Sequence, residues 1–270
     1  MGELATAAGQ EIVIEIGGMP VLVRTESRDF LRMLEDRYAG FVNPAANPAC
    51  EFDVEIVPPG KITDEDEVAV RFNSGRWLIE RGDLRAKWDP ASGRGWIRQS
   101  ANPYSIDTAL RIVHSLILAR EGGLLVHAAS AVRDGKAFLF AGVSGAGKTT
   151  ISRLAPADVT LLTDEISYLR RNGPGYVAHG TPFAGELAKV GENVQAPLAA
   201  LYLLQQGTEN AIEPVSAGDA ARSVLENVLF FTHDPELVSM VFDSACDLVR
   251  CVPVYRLTFV PDARVWELIA

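Results

Sequence analysis

AFLFAGVSGAGKTTI, residues Ala137–Ile151, is the stretch on which the reading of this chain turns. Gly142–Thr149 fits G-x-x-x-x-G-K-[ST] without a gap. The chemistry explains the residue types. Glycines let the backbone turn sharply and aim successive N–H groups at phosphate oxygens. The Lys148 ammonium reaches the β- and γ-phosphates, and the Thr149 hydroxyl ligates Mg²⁺. Gly142, Val143, Ser144, Gly145, Ala146, Gly147, Lys148, Thr149 and Thr150 are therefore the expected contacts to ATP. The context fits the mechanism: an apolar strand, Ala137–Ala141, runs into the loop. A helical stretch, Thr150–Ala155, leaves it and would offer its N-terminal dipole to the anion. A merely structural glycine-rich turn needs neither the Lys-Thr pair nor this strand-and-helix setting.

Downstream, Val159–Glu165 reads VTLLTDE, an apolar strand expected to end in two carboxylates. An acid at a strand end can hold Mg²⁺. The spacing is short: Asp164 lies sixteen residues after Lys148, where a parallel βαβ unit takes about 30 residues in all. The helix after the loop can have little more than two turns before Pro156. Upstream, Leu124–Val132 and Ala137–Ala141 are predicted strands of a hairpin turning on Asp134-Gly135. His127 sits on the first of them.

Val126-His127-Ala128-Ala129, the hairpin, GVSGAGKTT and LLTDE together resemble the catalytic domain of HPr kinase/phosphorylase, a family that shares its core with phosphoenolpyruvate carboxykinase. The resemblance covers roughly Leu124–Arg171 and thins toward the C-terminus. It implies an α/β fold with a phosphoenolpyruvate carboxykinase-like P-loop catalytic domain over residues 101–270. A smaller, β-rich α+β region over residues 1–100 precedes it and does not resemble the family's N-terminal domain. The resemblance also implies an ATP- and Mg²⁺-dependent kinase acting on a serine hydroxyl of a peptide or small protein. His127 matches the family's histidine, Lys148 and Thr149 its loop, and Asp164 the first of its two aspartates. Glu165 stands where the second would be, which keeps the charge and lengthens the arm. Asp164 is the expected base or a metal ligand, Glu165 a metal or supporting ligand, and His127 a donor to phosphate or an orienter of Asp164. Glu186, in His179–Glu186, lies where the family carries a metal-binding acid. The pattern suggests a divergent branch of the kind associated with peptide-modification gene clusters, and a homo-oligomer is expected.

Along the rest of the chain, Glu11–Ile16 and Glu51–Val57 alternate as half-buried strands. Ser27 is placed to cap a helix over Arg28–Tyr38. Val68–Phe72, Trp77–Glu80 and Leu84–Trp88 suggest a meander, and prolines together with Gly60 break the connections. Asn102-Pro103 starts a helix that Gly122-Gly123 stops, with His114 beside its apolar stripe as a packing residue. Strands follow at Ile166–Arg171, Tyr176–His179, Ala199–Leu204 and Val254–Phe259. Helices are expected at Ala217–Leu229, Pro235–Arg250 and Pro261–Ile269.

The formal charge of −10 disfavours nucleic acid, and Arg76, Arg81, Arg85, Lys87, Arg94 and Arg98 read as exposed faces of antiparallel strands. Cys50, Cys246 and Cys251 form no CxxC and read as small hydrophobes. Apolar runs fall short of the ~20 residues a membrane helix needs. The N-terminus shows no secretory pattern, and Met1-Gly2 with Thr6 is a weak myristoylation match; a cytoplasmic location is expected. A small-molecule kinase and a nucleotide sensor without transfer remain alternatives. The lack of Asn-Lys-x-Asp argues against a GTPase.

Overall fold

The computed structural model describes residues 10–59, 67–187 and 190–269. The readings that rest on Met1-Gly2, Thr6 and Gly60 lie outside the described residues. The chain divides into two compact units, Met1–Val113 and His114–Ala270. Among the described residues the elements amount to mixed α/β structure, rich in strands and with few helices. No described helix is long and apolar enough to cross a membrane.

The N-terminal unit carries a seven-stranded sheet. Its strands are β1 (Gln10–Ile16), β2 (Met19–Thr25), β3 (Cys50–Ile56), β4 (Ala69–Asn73), β5 (Arg76–Arg81), β6 (Leu84–Asp89) and β7 (Arg94–Gln99), in the order β1-β2-β3-β7-β6-β5-β4. Gly17 and Gly18 both take positive φ, 62° and 72°, which is what a tight two-residue hairpin turn between β1 and β2 requires. The strand β2 escapes a reading based on alternation because MPVLVRT is apolar on both faces: Val21, Leu22 and Val23 are all buried. It pairs in parallel with β3, and β3 in parallel with β7. The helix α1 (Arg28–Arg37) starts at Ser27, whose side chain accepts from the Phe30 N–H at 3.3 Å, and it buries Phe30 and Leu34. Within the same unit Asp107 accepts from both the Arg37 guanidinium and the Tyr38 hydroxyl. Burial and the nearby Asp107 charge push the Tyr38 phenol well above its ordinary value.

The helix α2 (Pro103–Glu121) contains the division between the units. In the C-terminal unit the strands are β8 (Leu124–Arg133), β9 (Lys136–Ala141), β10 (Thr160–Thr163), β11 (Ile166–Asn172), β12 (Gly175–His179), β13 (Gln195–Gln206), β14 (Ala211–Pro214) and β15 (Val254–Phe259). The helices are α3 (Lys148–Arg153), α4 (Ala217–Asn227) and α5 (Pro235–Cys251). The β8–β9 hairpin turns at Asp134 (φ 50°) and Gly135 (φ 74°), as its sequence predicts. The strand pairings β8–β11, β11–β12, β12–β13, β13–β9 and β9–β8 close a circuit. Phe138 and Phe140 of β9, Tyr202 of β13 and Trp266 share a buried cluster, with Phe140 stacked on Tyr202 at 5.6 Å and edge-on to Trp266 at 5.4 Å. Each such side chain contributes on the order of 1.5–3 kcal/mol by leaving water. Trp266 also donates to the Ile151 carbonyl at 3.1 Å, which ties this core to α3.

Two expectations differ from the structure. The helix after the glycine-rich loop begins at Lys148, not Thr150, and has only six residues. It is too short to carry the chain across a sheet in a parallel crossover, so β10 pairs antiparallel with β8, and the parallel neighbours of β9 come later, from β13. The closing segment is a 3-10 turn over Ala263–Leu268, started by Asp262, whose carboxylate accepts from the Arg264 N–H. As expected, His114 is a packing residue: it is fully buried with Nδ1 3.1 Å from the Tyr168 hydroxyl, and burial pushes its pKa to about 3.

Candidate phosphate-binding site

The loop after β9 is shaped by close approach of side chains to its glycines. A Cβ on Gly142 would lie 2.7 Å from the Ala146 Cβ, and one on Gly147, where φ is 114°, would lie 2.6 Å from the Phe259 ring. Only glycine fits at either place. Ala146 N–H donates to the Val143 carbonyl at 3.0 Å, closing the turn. The Lys148 ammonium donates to the Gly142 carbonyl at 2.8 Å and reaches the Val143 carbonyl at 3.4 Å. Burial pushes its pKa below the ordinary lysine value, against the opposing pull of Glu165 and Glu186.

The acidic pair reaches the loop by way of β8. That strand pairs with β9 on one edge, Ala128 opposite Ala141. On the other edge it pairs first with β11, His127 opposite Ile166, and then with β10, Ser130 opposite Thr163. Asp164 and Glu165 are the two residues that break β10 from β11. They do not end a strand, as the sequence suggests; they form a bend between two strands that share one partner. Thr163 makes the bend, its hydroxyl accepting from the N–H groups of Glu165 and Ile166 at 3.2 and 3.1 Å. One strand, β8, lies between β9 and the strand line of the acids, which puts the two about 10 Å apart, two spacings of about 5 Å.

Asp164 is buried, and its two oxygens accept from the Gly185 and Leu187 N–H groups, each at 2.9 Å. A Cβ on Gly185 would come within 2.8 Å of the Glu165 Cβ and 2.9 Å of Asp164 Oδ2, so glycine is needed for this approach. The residue between the two gripped amides is Glu186, whose Oε2 accepts from the Thr149 hydroxyl at 3.2 Å. The clamp thus sets a carboxylate on the loop hydroxyl.

These groups face one cavity of about 330 Å³. His127, Ser144, Gly145, Gly147, Lys148, Thr149, Thr150, Asp164, Glu165 and Glu186 line it, all expected from the sequence, together with Gly185, which was not. Gly142 and Val143 act through the carbonyls that hold Lys148. The Val143 side chain points into solvent, 72% exposed, while Ala146 is buried. His127 is half-buried, and burial, reinforced by the Lys148 charge, lowers its pKa. His179 lies elsewhere, edge-on to Tyr168 with its pKa lowered by burial to about 4.

Mg²⁺ takes one or two protein carboxylates and completes its octahedron with water and phosphate. The Thr149–Glu186 contact, with Glu165 on the same wall, fits that donor set. Thr149, Asp164, Glu165 and Glu186, the expected metal set, all line this cavity. Among the described residues no three His, Cys, Asp or Glu side chains are grouped to hold a metal, and each Asp164 oxygen has one of its lone pairs on a backbone amide. An ion here would depend on phosphate oxygens. Three carboxylates face one ammonium on the cavity wall, a balance that favours a cation over a bare anion.

The model of a family described as SynChlorMet cassette protein ScmC matches residues 99–270, more than half of the chain. No curated protein matches. Among solved structures, the HPr(Ser) kinase/phosphatase from Coxiella burnetii aligns at 14% identity and a TM-score of 0.24, over 44% of this chain and 93% of that one.

Proposed function

We propose, for a chain that belongs to the SynChlorMet cassette protein ScmC family, that it is an ATP- and Mg²⁺-dependent kinase transferring the γ-phosphate to a serine hydroxyl of a peptide or small protein. The observation that carries the reading is the meeting of Lys148 and Thr149 with Asp164, Glu165, Glu186 and His127 around one cavity. In phosphoryl transfer the protein mainly positions groups and neutralises charge. Lys148 would leave the Gly142 and Val143 carbonyls for the β- and γ-phosphate oxygens. Thr149 and Glu186, with Glu165, would hold Mg²⁺, which would supply positive charge to offset that of the phosphates. Asp164 is assigned the acceptor's proton. Its two amide bonds fix the carboxylate and leave a second lone pair on each oxygen. The neutral His127 imidazole can donate one N–H to a phosphate oxygen.

The reading is tested by transfer of label from γ-labelled ATP into proteins and peptides of a source-cell lysate, with intact mass of the labelled species. Wild type is expected to label a peptide or protein, and Lys148→Ala to label nothing above background. Label confined to a small molecule would replace the acceptor class. Nucleotide binding without any transfer would leave a sensor.

A further inference from the structure

The three loop glycines are held by different means. Gly142 and Gly147 are locked by packing, against Ala146 and the Phe259 ring. Gly145 has φ 80°, and a Cβ there would meet no atom within 4 Å. No steric contact of that kind restrains it, and a glycine in open space can flip its peptide at little cost. Its carbonyl, however, accepts from Gln206 Nε2 at 2.7 Å. Gln206 is the last residue of β13 and pairs in register with Phe259, the last residue of β15. The neighbouring ends of two parallel strands therefore hold two glycines of the loop, one by a hydrogen bond and one by a ring. The chain leaves β13 close against β15: Gly207 N–H donates to the Phe259 carbonyl at 3.1 Å, and a Cβ on Gly207 would fall 2.2 Å from Thr258 Cγ2.

We infer that Gln206 is a positioning residue for the phosphate loop, an inference that rests on the nucleotide-binding reading above. In a trans peptide the carbonyl and the following N–H point in opposite directions. Tying the Gly145 carbonyl to Gln206 keeps the Ala146 N–H on the Val143 carbonyl, where it closes the loop turn. With the tie cut, the Gly145 carbonyl is free to swing toward the cavity that Gly145 lines. There its lone pairs would oppose phosphate oxygens. Gln206 thus biases a flexible loop toward its anion-accepting form without touching the ligand.

The test uses Gln206→Met, which keeps length and volume and removes the donor. Binding of inorganic triphosphate with Mg²⁺ is measured by calorimetry for wild type, Gln206→Met and Lys148→Ala, and each protein is melted without ligand. Loss of one such bond is expected to weaken triphosphate binding about 3–10-fold. The ligand-free melting temperature should stay within about a degree, because Gln206 is exposed. Unchanged binding by Gln206→Met overturns the inference. So does a large fall in the ligand-free melting temperature, which would make the residue structural. If wild type binds no triphosphate, or Lys148→Ala binds it equally well, the nucleotide reading itself fails and takes this inference with it.

Discussion

The exposed face of the N-terminal sheet and the wall of the Lys148 cavity both carry charged side chains, the first on strands and the second on a bend, a turn and a helix start, and they use them in opposite ways. On the sheet, charge is matched in place. Glu51 serves Arg24 and Arg94, Glu55 faces Arg98, Glu80 faces Arg85, and Asp89 faces Arg76. Such exposed pairs are worth about 0–1 kcal/mol each. A hollow of about 720 Å³ lies against this face, lined by Arg24, Asp53, Glu55 and Trp96. It is larger than the Lys148 cavity, yet Arg24 and Glu55 already have partners there. In the C-terminal unit three carboxylates and one ammonium are brought to a smaller space, with Asp164 gripped by backbone amides. Matched charge keeps a sheet face wetted, whereas an imposed excess of one sign calls for a ligand that completes it. Size alone does not find the site.

The contrast can be broken by substitutions on either side. The largest effect is expected from Asp164→Ala. It leaves the Gly185 and Leu187 amides without acceptors, at roughly 1–3 kcal/mol for each that stays buried. It also removes the proposed base, so phosphate transfer should fall ~10²-fold or more. Transfer rate and melting temperature are read together, and a variant within a few-fold of wild type in rate would remove Asp164 from the mechanism. Next comes Glu186→Gln. Its expected signature is a higher Mg²⁺ requirement, roughly tenfold, with rate recovering at high Mg²⁺. A loss that excess Mg²⁺ does not restore would place Glu186 outside the metal shell.

A smaller effect is expected with pH. Burial lowers the pKa of His179 to about 4 in the fold, against 6.5 when exposed. Both states are neutral above pH 6.5, so the folded state loses nothing there. Below it the unfolded chain binds the proton first, and stability falls between pH 6.5 and about 4, by at most about 1.4 kcal/mol per pH unit for one such group. His179→Gln should reduce that slope in urea unfolding followed across the window, buried His114 supplying what remains, and an unchanged slope would show that His179 is not a source. The smallest effect belongs to the sheet: Arg98→Ala breaks a pair with Glu55 at 3.6 Å whose side chains are 56% and 67% exposed. It should shift stability by less than about 1 kcal/mol and leave nucleotide binding alone.

The loop was legible because its chemistry is written in eight consecutive residues, and the carboxylate pair Asp164–Glu165 because it follows an apolar run, although the bend it forms was not. Other parts were not legible, for physical reasons. β2 is buried on both faces and shows no alternation, and β14 is four residues ending in proline. The pairing of β10 with β8 follows from the shortness of α3, which the sequence showed, but the partner strand depends on long-range register. The clamp of Asp164 on Gly185 and Leu187 spans more than twenty residues, and its one local signal is Gly185 beside an acid. Gln206 carries no signal at all, since a glutamine at a strand end is ordinary until the fold brings Gly145 beside it.

Because the carboxylate excess around Lys148 repels a bare anion, this cavity is expected to take a triphosphate only together with a divalent cation. Calorimetric titration of the protein with ATP, with Mg²⁺ and then with the metal chelated, tests it most directly. At the ~4 Å separations of such a site each like-charge contact costs a few kcal/mol at an effective dielectric of about 20, so chelation is expected to weaken binding at least tenfold, and Lys148→Ala to remove binding in both conditions. Equal affinity with and without Mg²⁺, or binding that survives Lys148→Ala, would contradict the account.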